Sequence, residues 1–481
     1  MNAVAPDPRR WKALILICAA IFVVVLDIAI VNVALPSIGS DLHFAEKNLQ
    51  WVITAYGLTY GGFLLLGGRA ADLIGRRLVF MGGMALFTAA SLVCGLSTSS
   101  AMLIGARGVQ GLGAAIVTPA ALSIISTTFT EGSERNKALG AWGAVGGSGA
   151  AAGVLMGGIL TKYLGWEWIF WVNVPVGLTV LLLTPLYVRE SRREDVVHDY
   201  DPLGAVSVTS GLIVLVYAIS EAPDVGWATF RTIGLIALSG VLLAFFLVWE
   251  WREKAPLMPL GIFRIRLVAG ANVVGALMAG GMYGTFLLLT LYMQQVLRLS
   301  VLQTGLAFLA TAGTAVVMAG PAQALTTRLG AKPVMVTGLS LLVAGCLWYT
   351  QIDADGTYPV DLLPGFLAVG VGIPFAFIPV TIAALAGVGH EDAGLASGLI
   401  NTSQQVGGAI GTAVLSTVAF THAGTLLGRG DPRPEALTDG FQLAFWVGAG
   451  IWAAALLAAL AVVRREEVAH PEAVELPAAQ T

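Results

Sequence analysis

The sequence predicts an all-α integral membrane protein of fourteen transmembrane helices, and three observations carry that expectation. Of its 481 residues, 57% are hydrophobic and only 11% charged, where a soluble domain carries roughly 25% charged residues to cover itself in water-compatible surface. Mean hydropathy is +0.81. Apolar runs of spanning length recur from one end to the other, and the positive charges sort by side when the loops between those runs are numbered alternately. With a formal charge of −3 and no basic block, nothing in the composition favours nucleic acid as a partner.

Lipid offers no hydrogen-bond partners to the backbone, so each crossing needs about 20 mostly apolar residues in a helix. Such runs fall at 13–36, 48–68, 78–96, 101–128, 137–160, 167–188, 203–221, 231–250, 268–296, 302–325, 333–351, 362–387, 394–420 and 441–463. The first is too long for a signal-peptide core and lacks a cleavage site, so it stays in the mature chain. The seventh is rich in Ser and Thr. Trp166, Trp168, Trp171, Trp227, Trp249 and Trp251 cluster near span ends, as interfacial anchors do. Six spans (13–188), an inserted pair (203–250) and six more (268–463) follow a short N-terminus (1–12), with a linker at 251–267 and a charged Ala/Pro tail at 464–481. That tail lacks apolar periodicity.

Orientation follows from the 26 Lys and Arg. With the N-terminus inside, 19 fall on the cytoplasmic side and 6 outside, while Arg107 alone lies well within a span. The chain is therefore expected in the plasma membrane, multi-pass, with both termini cytoplasmic. A missed span would invert every later loop and erase the bias. The halves also repeat weakly: AADLIGRR (70–77) aligns with LTTRLGAK (325–332) at a shift of 255, placing Gly75 on Gly330 and Arg77 on Lys332. At that shift Asp72 meets Thr327 and Asp27 meets Met282, so if the halves are functionally unequal, proton chemistry belongs to the first.

Asp27, in FVVVLDIAIVNVALP, is the leading functional candidate, because a charge at mid-membrane costs about 2.5–3.5 kcal/mol on insertion scales and is tolerated toward a bundle interior. A structural carboxylate is the competing reading. Arg107, in LIGARGVQGLGAA, needs an anionic or carbonyl partner for the same reason, and helix depth places both residues in the outer half. Depth leaves their pairing open, as it leaves a merely structural pair open. In GGRAADLIGRRL, Gly68, Asp72, Gly75, Arg76 and Arg77 form a candidate gating loop in which Asp72 would accept from a helix N-terminus or an arginine and latch one conformation. Weak surface pairing is the alternative.

Gly149, Gly153 and Gly157, with Gly158 beside them, form a small-residue stripe whose default role is close helix packing, with a bending or sliding surface as the functional addition. Asn32, Asn272, Tyr283, Gln294, Gln295, Asn401, Gln404 and Gln405 are candidates for lining a substrate cavity, each equally readable as interhelical hydrogen bonding. Cys18, Cys94 and Cys346 sit singly in apolar segments, so neither a disulfide nor a zinc site is expected. No nucleotide-binding, metal-ligand or nucleophile-turn motif occurs. Neither enzymatic activity nor a metal or other cofactor is therefore expected, and ATP-driven pumping would need another subunit.

Taken in order, these motifs resemble the major facilitator superfamily, in particular its fourteen-helix drug:proton antiporter branch. LDIAIVNVALP (26–36) is similar to the first-helix signature, GRAADLIGRR (68–77) to the loop between helices 2 and 3, and RGVQG (107–111) to the helix-4 arginine motif. WEWIFWVNVPVG (166–177) and ASGLINTSQQVGGAIGTAV (396–414) are similar to segments at helices 6 and 13. The chain departs twice: Val154 follows Gly153 where the family's helix-5 motif carries proline, and Gln404 stands where arginine is frequent. The helix-13 span also lacks an acid, which argues against doubly charged substrates. The resemblance implies two six-helix bundles, alternating access and drug export driven by the proton gradient, with Asp27 and Arg107 as the coupling pair. It extends to actinobacterial exporters of lincomycin, puromycin or methylenomycin type antibiotics, and a monomer is expected. A uniporter or importer of the same fold, and a membrane sensor without flux, are the rival readings.

Overall fold

Each apolar run becomes one long helix, because a helix satisfies its own backbone groups where lipid cannot. The computed structural model describes residues 8–44, 49, 51–130, 132–191, 201–253, 256–386, 388–389 and 392–462. Among them run α1 (Arg10–Asp41), α2 (Trp51–Ile74), α3 (Arg76–Gly95), α4 (Ser100–Thr128), α5 (Ser133–Tyr163), α6 (Trp168–Tyr187, with one irregular residue at Val172) and α7 (Pro202–Val225). The second series is α8 (Phe230–Arg252), α9 (Arg266–Leu291), α10 (Val301–Leu329), α11 (Ala331–Tyr349), α12 (Leu363–Leu385), α13 (Ala393–Arg429) and α14 (Arg433–Val462). Among the described residues, 13 of these helices are long and apolar enough to cross a membrane. The other is α5, where the side chains of residues 146, 147, 150, 151 and 154 lie outside the description, Val154 among them. The tail at 464–481 also falls outside it.

Several helices outrun their apolar cores. α1 continues to Asp41, α2 to Ile74 and α13 to Arg429, while α14 begins at Arg433 rather than near 441. Backbone hydrogen bonding does not stop at the hydrocarbon edge, so polarity marks where lipid ends and not where a helix does.

Packing repeats between the halves. α1 lies against α5, α2 and α3 against α4, and α3 against α6; correspondingly α9 lies against α13, α10 and α11 against α12, and α11 against α14. Two seams join the halves, α2 with α13 and α5 with α10. The inserted α7 packs on α8 and reaches both α2 and α13, so it flanks one seam. The aligned glycines Gly75 and Gly330 each form a one-residue elbow, between α2 and α3 and between α10 and α11, at φ of 132° and 84°. Side chains with a Cβ rarely adopt that conformation.

A candidate transport site

Asp27 and Arg107 meet directly, at 2.5 Å from Nη1 to Oδ2, and both are essentially inaccessible, at 0% and 1% exposure. Helix depth alone leaves this pairing open; azimuth decides it, since α1 and α4 turn these faces toward one another. Arg107 also donates to Gln110 Oε1 (2.7 Å) and through Nε to the Val52 carbonyl (3.0 Å), while the Tyr56 ring covers its guanidinium at 4.3 Å. The second carboxylate oxygen, Oδ1, accepts from Gln110 (2.8 Å) and Asn173 (2.9 Å), and both amides also donate to Ser91 Oγ at 3.0 Å. Both carboxylate oxygens of Asp27 are thus engaged, as a buried ion pair requires to persist. The whole constellation belongs to the first half.

The gating-loop residues build a second constellation at the end of α2 where the Lys/Arg-rich loops lie. Asp72, wholly buried, accepts from the backbone N–H groups of Gly394 (3.0 Å) and Leu395 (2.9 Å), the unpaired first-turn donors of α13 in the opposite half. Arg76 holds the same carboxylate at 2.8 Å and donates to Ser123. Gly68 lets the helices touch there, because a Cβ on it would collide with the Gly394 carbonyl and lie 3.1 Å from Gly398 Cα. Arg69 adds an ion pair to Asp392 at 3.4 Å. Arg77 is engaged differently: Glu190 accepts from its backbone N–H at 3.0 Å. Thr327, the aligned counterpart of Asp72, accepts from Asn136 near the start of α5 at 3.1 Å. The two seams are thus closed at equivalent places, one by a carboxylate and one by a hydroxyl.

The glycine stripe is the seam between α5 and α1. A Cβ on Gly149 would stand 3.2 Å from the Phe22 carbonyl, on Gly153 2.8 Å from that of Leu26, and on Gly157 2.9 Å from that of Ile30. These contacts bracket Asp27, so the stripe fixes the depth of the carboxylate. Gly158 does not belong to it and faces Leu302 of α10.

A cavity of about 770 Å³ opens between the halves, away from the Asp72 latch, lined by α2 from Ile53 to Gly61, by α13 from Gln405 to Thr421, and by Val216 of α7 and Tyr283 of α9. Among the described residues its lining carries no charge. Tyr283 and Gln405 line it, the phenol donating to the amide oxygen at 3.2 Å. The other polar candidates do not. Asn32 is exposed and bonded to its own helix at the Ile28 carbonyl; Asn272 bridges the Val268 carbonyl and Ser403; Asn401 donates to the Ser397 carbonyl. Gln404 is turned from Gln405 by one helical step and buried beside Gly275, and Gln294 and Gln295 lie in the π-helical turn Tyr292–Val296 that ends α9. The amides of Asn32, Asn272 and Asn401 are satisfied by the backbone of their own helices and need no cavity.

A family model described as the Major Facilitator Superfamily matches residues 17–412. The chain belongs to that superfamily. It is a membrane transporter and not an enzyme. It is 41% identical over 473 residues to the puromycin resistance protein pur8 of Streptomyces alboniger, covering 96% of this chain and 93% of that protein. It is 39% identical to the cephamycin export protein CmcT of Amycolatopsis lactamdurans, covering 86% of this chain and 85% of that protein, and 34% identical to a tetracenomycin C resistance and export protein of Streptomyces glaucescens, covering 86% and 77%. The human organic anion transporter MFSD10 shares the fold, with a TM-score of 0.68 over 94% of this chain and 100% of that one at 17% identity.

In this major facilitator transporter, sequence reasoning missed Gln110, Asn173 and Ser91 around Asp27, and Gly394, Gly398 and Asp392 opposite the gating loop. Gln110 had a visible signal, three residues after Arg107 and thus on the same helical face. Asn173 stands out as an amide in an otherwise apolar stretch. The α13 residues had none, since only folding brings them to a carboxylate 322 positions away.

Proposed function

We propose that this transporter is a proton-coupled antiporter that exports amphipathic drugs or an antibiotic across the plasma membrane by alternating access, works as a monomer with both termini cytoplasmic, and confers antibiotic resistance. The observation that carries the reading is a buried, fully engaged Asp27–Arg107 pair beside an uncharged cavity between two halves. An apolar lining with a few hydroxyls and one amide suits amphipathic molecules and imposes little on their shape. Resistance and export are named for relatives of three different antibiotics, which supports the same direction here. The excess of Lys and Arg on the Asp72 side supports that side as cytoplasmic. With the latch closed on that side and the cavity between the halves lying away from it, the form described is outward-facing.

Proton uptake at Asp27 removes the anion facing Arg107, leaving the guanidinium to Gln110, the Val52 carbonyl and the Tyr56 ring. Two of those three contacts lie on α2, which also lines the cavity. Drug occupancy and protonation therefore act on one helix, and the protonated, drug-free carrier returns to face inward. The test is reconstitution of Asp27→Asn with an imposed inward proton gradient: uphill drug transport should disappear while downhill exchange continues. Undiminished uphill transport would remove Asp27 from coupling.

A further inference from the structure

A pair of acids on the inserted helices takes no part in this scheme. Asp201 caps the start of α7, its Oδ1 accepting from the Gly204 N–H (2.8 Å) and from the Trp249 indole (2.9 Å). Glu250, near the end of α8, accepts at Oε2 from the Met258 N–H at 3.0 Å. Both residues are more than nine-tenths buried, at 8% and 4% exposure. Their remaining oxygens, Asp201 Oδ2 and Glu250 Oε1, find no donor. Both crowd over Gly204, where a Cβ would collide with Oδ2 and stand 2.6 Å from Oε1, and the two carboxyl groups come within hydrogen-bonding reach of each other.

Two carboxylates cannot hydrogen-bond, since each only accepts; a carboxylic acid and a carboxylate can, with one proton between them. Two bare charges in contact would also repel strongly in so buried a place. The geometry points to a second proton-binding site in this chain, in which Asp201 and Glu250 share one proton between Oδ2 and Oε1 and, so joined, fasten the linker at Pro256–Met258 to the inserted helix pair. Binding is simple and balanced: two carboxylates and one proton form a single hydrogen-bonded acid–anion pair, and release returns the proton to water.

The charged surroundings leave that proton undisputed. Arg69 of α2 shares a small cavity with Asp201, Pro256 and Leu257, but its Nη1 is directed to Asp392 and its Nη2 to the Pro256 carbonyl. At the end of α8, Arg252 is exposed and Glu253 half-buried. Among the described residues, no cation reaches either inner oxygen. Through Pro256, Arg69 ties the pair's linker to the contact between α2 and α13, so loss of the proton would loosen the clasp from the side of the inserted helices.

Infrared difference spectroscopy of the purified, detergent-solubilised protein, titrated from neutral to alkaline pH, tests this without any transport measurement. The wild type should show a carboxylic-acid C=O band that disappears on alkalinisation and persists in Asp27→Asn, which separates it from the coupling acid. Glu250→Gln and Asp201→Asn each replace the shared proton by an amide N–H making the same bridge. The wild type's unfolding temperature should fall as the shared proton is lost at alkaline pH, whereas both variants should fold, lack that band and show no such fall. The inference is overturned if the wild type has no such band, if the band survives at full strength in both variants, or if neither amide variant folds.

Discussion

Asp72→Asn should open the face that Asp72 closes. The carboxylate makes hydrogen bonds to Gly394 N–H, Leu395 N–H and Arg76, at 3.0, 2.9 and 2.8 Å. Asparagine keeps one acceptor oxygen and turns an NH₂ toward a remaining donor. The loss is one hydrogen bond to a charged acceptor, typically about 1.5–3 kcal/mol, together with the attraction between a negative charge and a helix N-terminus, about 0.3–2 kcal/mol. Taking about 3 kcal/mol, and tenfold for each 1.4 kcal/mol, the ratio of closed to open molecules at that face falls roughly 100-fold. Spin labels on cysteines replacing Leu78 and Leu329, exposed residues at the same face in opposite halves, would report it as a longer distance population in pulsed dipolar spectroscopy. Cys18 would be removed beforehand; Cys94 and Cys346 are buried. A folded variant with the wild-type distance distribution would refute the latch.

Gly153→Ala should lower the unfolding temperature, because its Cβ would sit 2.7 Å from Ala29 Cβ and 2.8 Å from the Leu26 carbonyl, and overpacking of this kind costs about 1–3 kcal/mol; an unchanged melting curve would mean α1 and α5 separate freely. Gln405→Ala removes the acceptor of Tyr283 and an amide from the cavity wall, so inhibitory concentrations across a drug panel should change unevenly while an added proton gradient still drives export. At Glu134, outside the apolar part of α5, burial pushes the carboxyl up but hydrogen bonds from Arg10 and Thr130 outweigh it and hold it below its ordinary value. A carboxyl lowered on folding stabilises fully above its unfolded pKa, about 4.3, and the gain is lost as pH falls through the folded value, so Glu134→Gln should flatten that acid limb of a stability–pH curve.

Much of the architecture was legible because lipid imposes a length and a composition on every crossing, and translocation imposes a charge bias on the loops. Asp27, Arg107 and Asp72 were legible for the same reason: a charge in an apolar run has to be accounted for. What periodicity does not convey is the rotation of one helix against another. Asp27 and Arg107 had known depths and an undecided partnership, and six of eight polar cavity candidates are not in the cavity's lining, three of them bonded to their own helix. Asp201 and Glu250 attracted no notice because each stands at a span end, where an acid is unremarkable alone. Contact between α7 and α8 makes them a pair.

One helix carries more than its share of these contacts. α2 offers the Val52 carbonyl and the Tyr56 ring to Arg107, the edge from Ile53 to Gly61 to the cavity, and Asp72 to the first turn of α13. From Val52 to Asp72 this is a rod of about 30 Å at 1.5 Å per residue. A stiff lever needs no chain of intermediaries: a slight tilt where it meets the guanidinium is felt at its far tip as a lateral shift, so the ion pair, the bound cargo and the latch read a single mechanical coordinate.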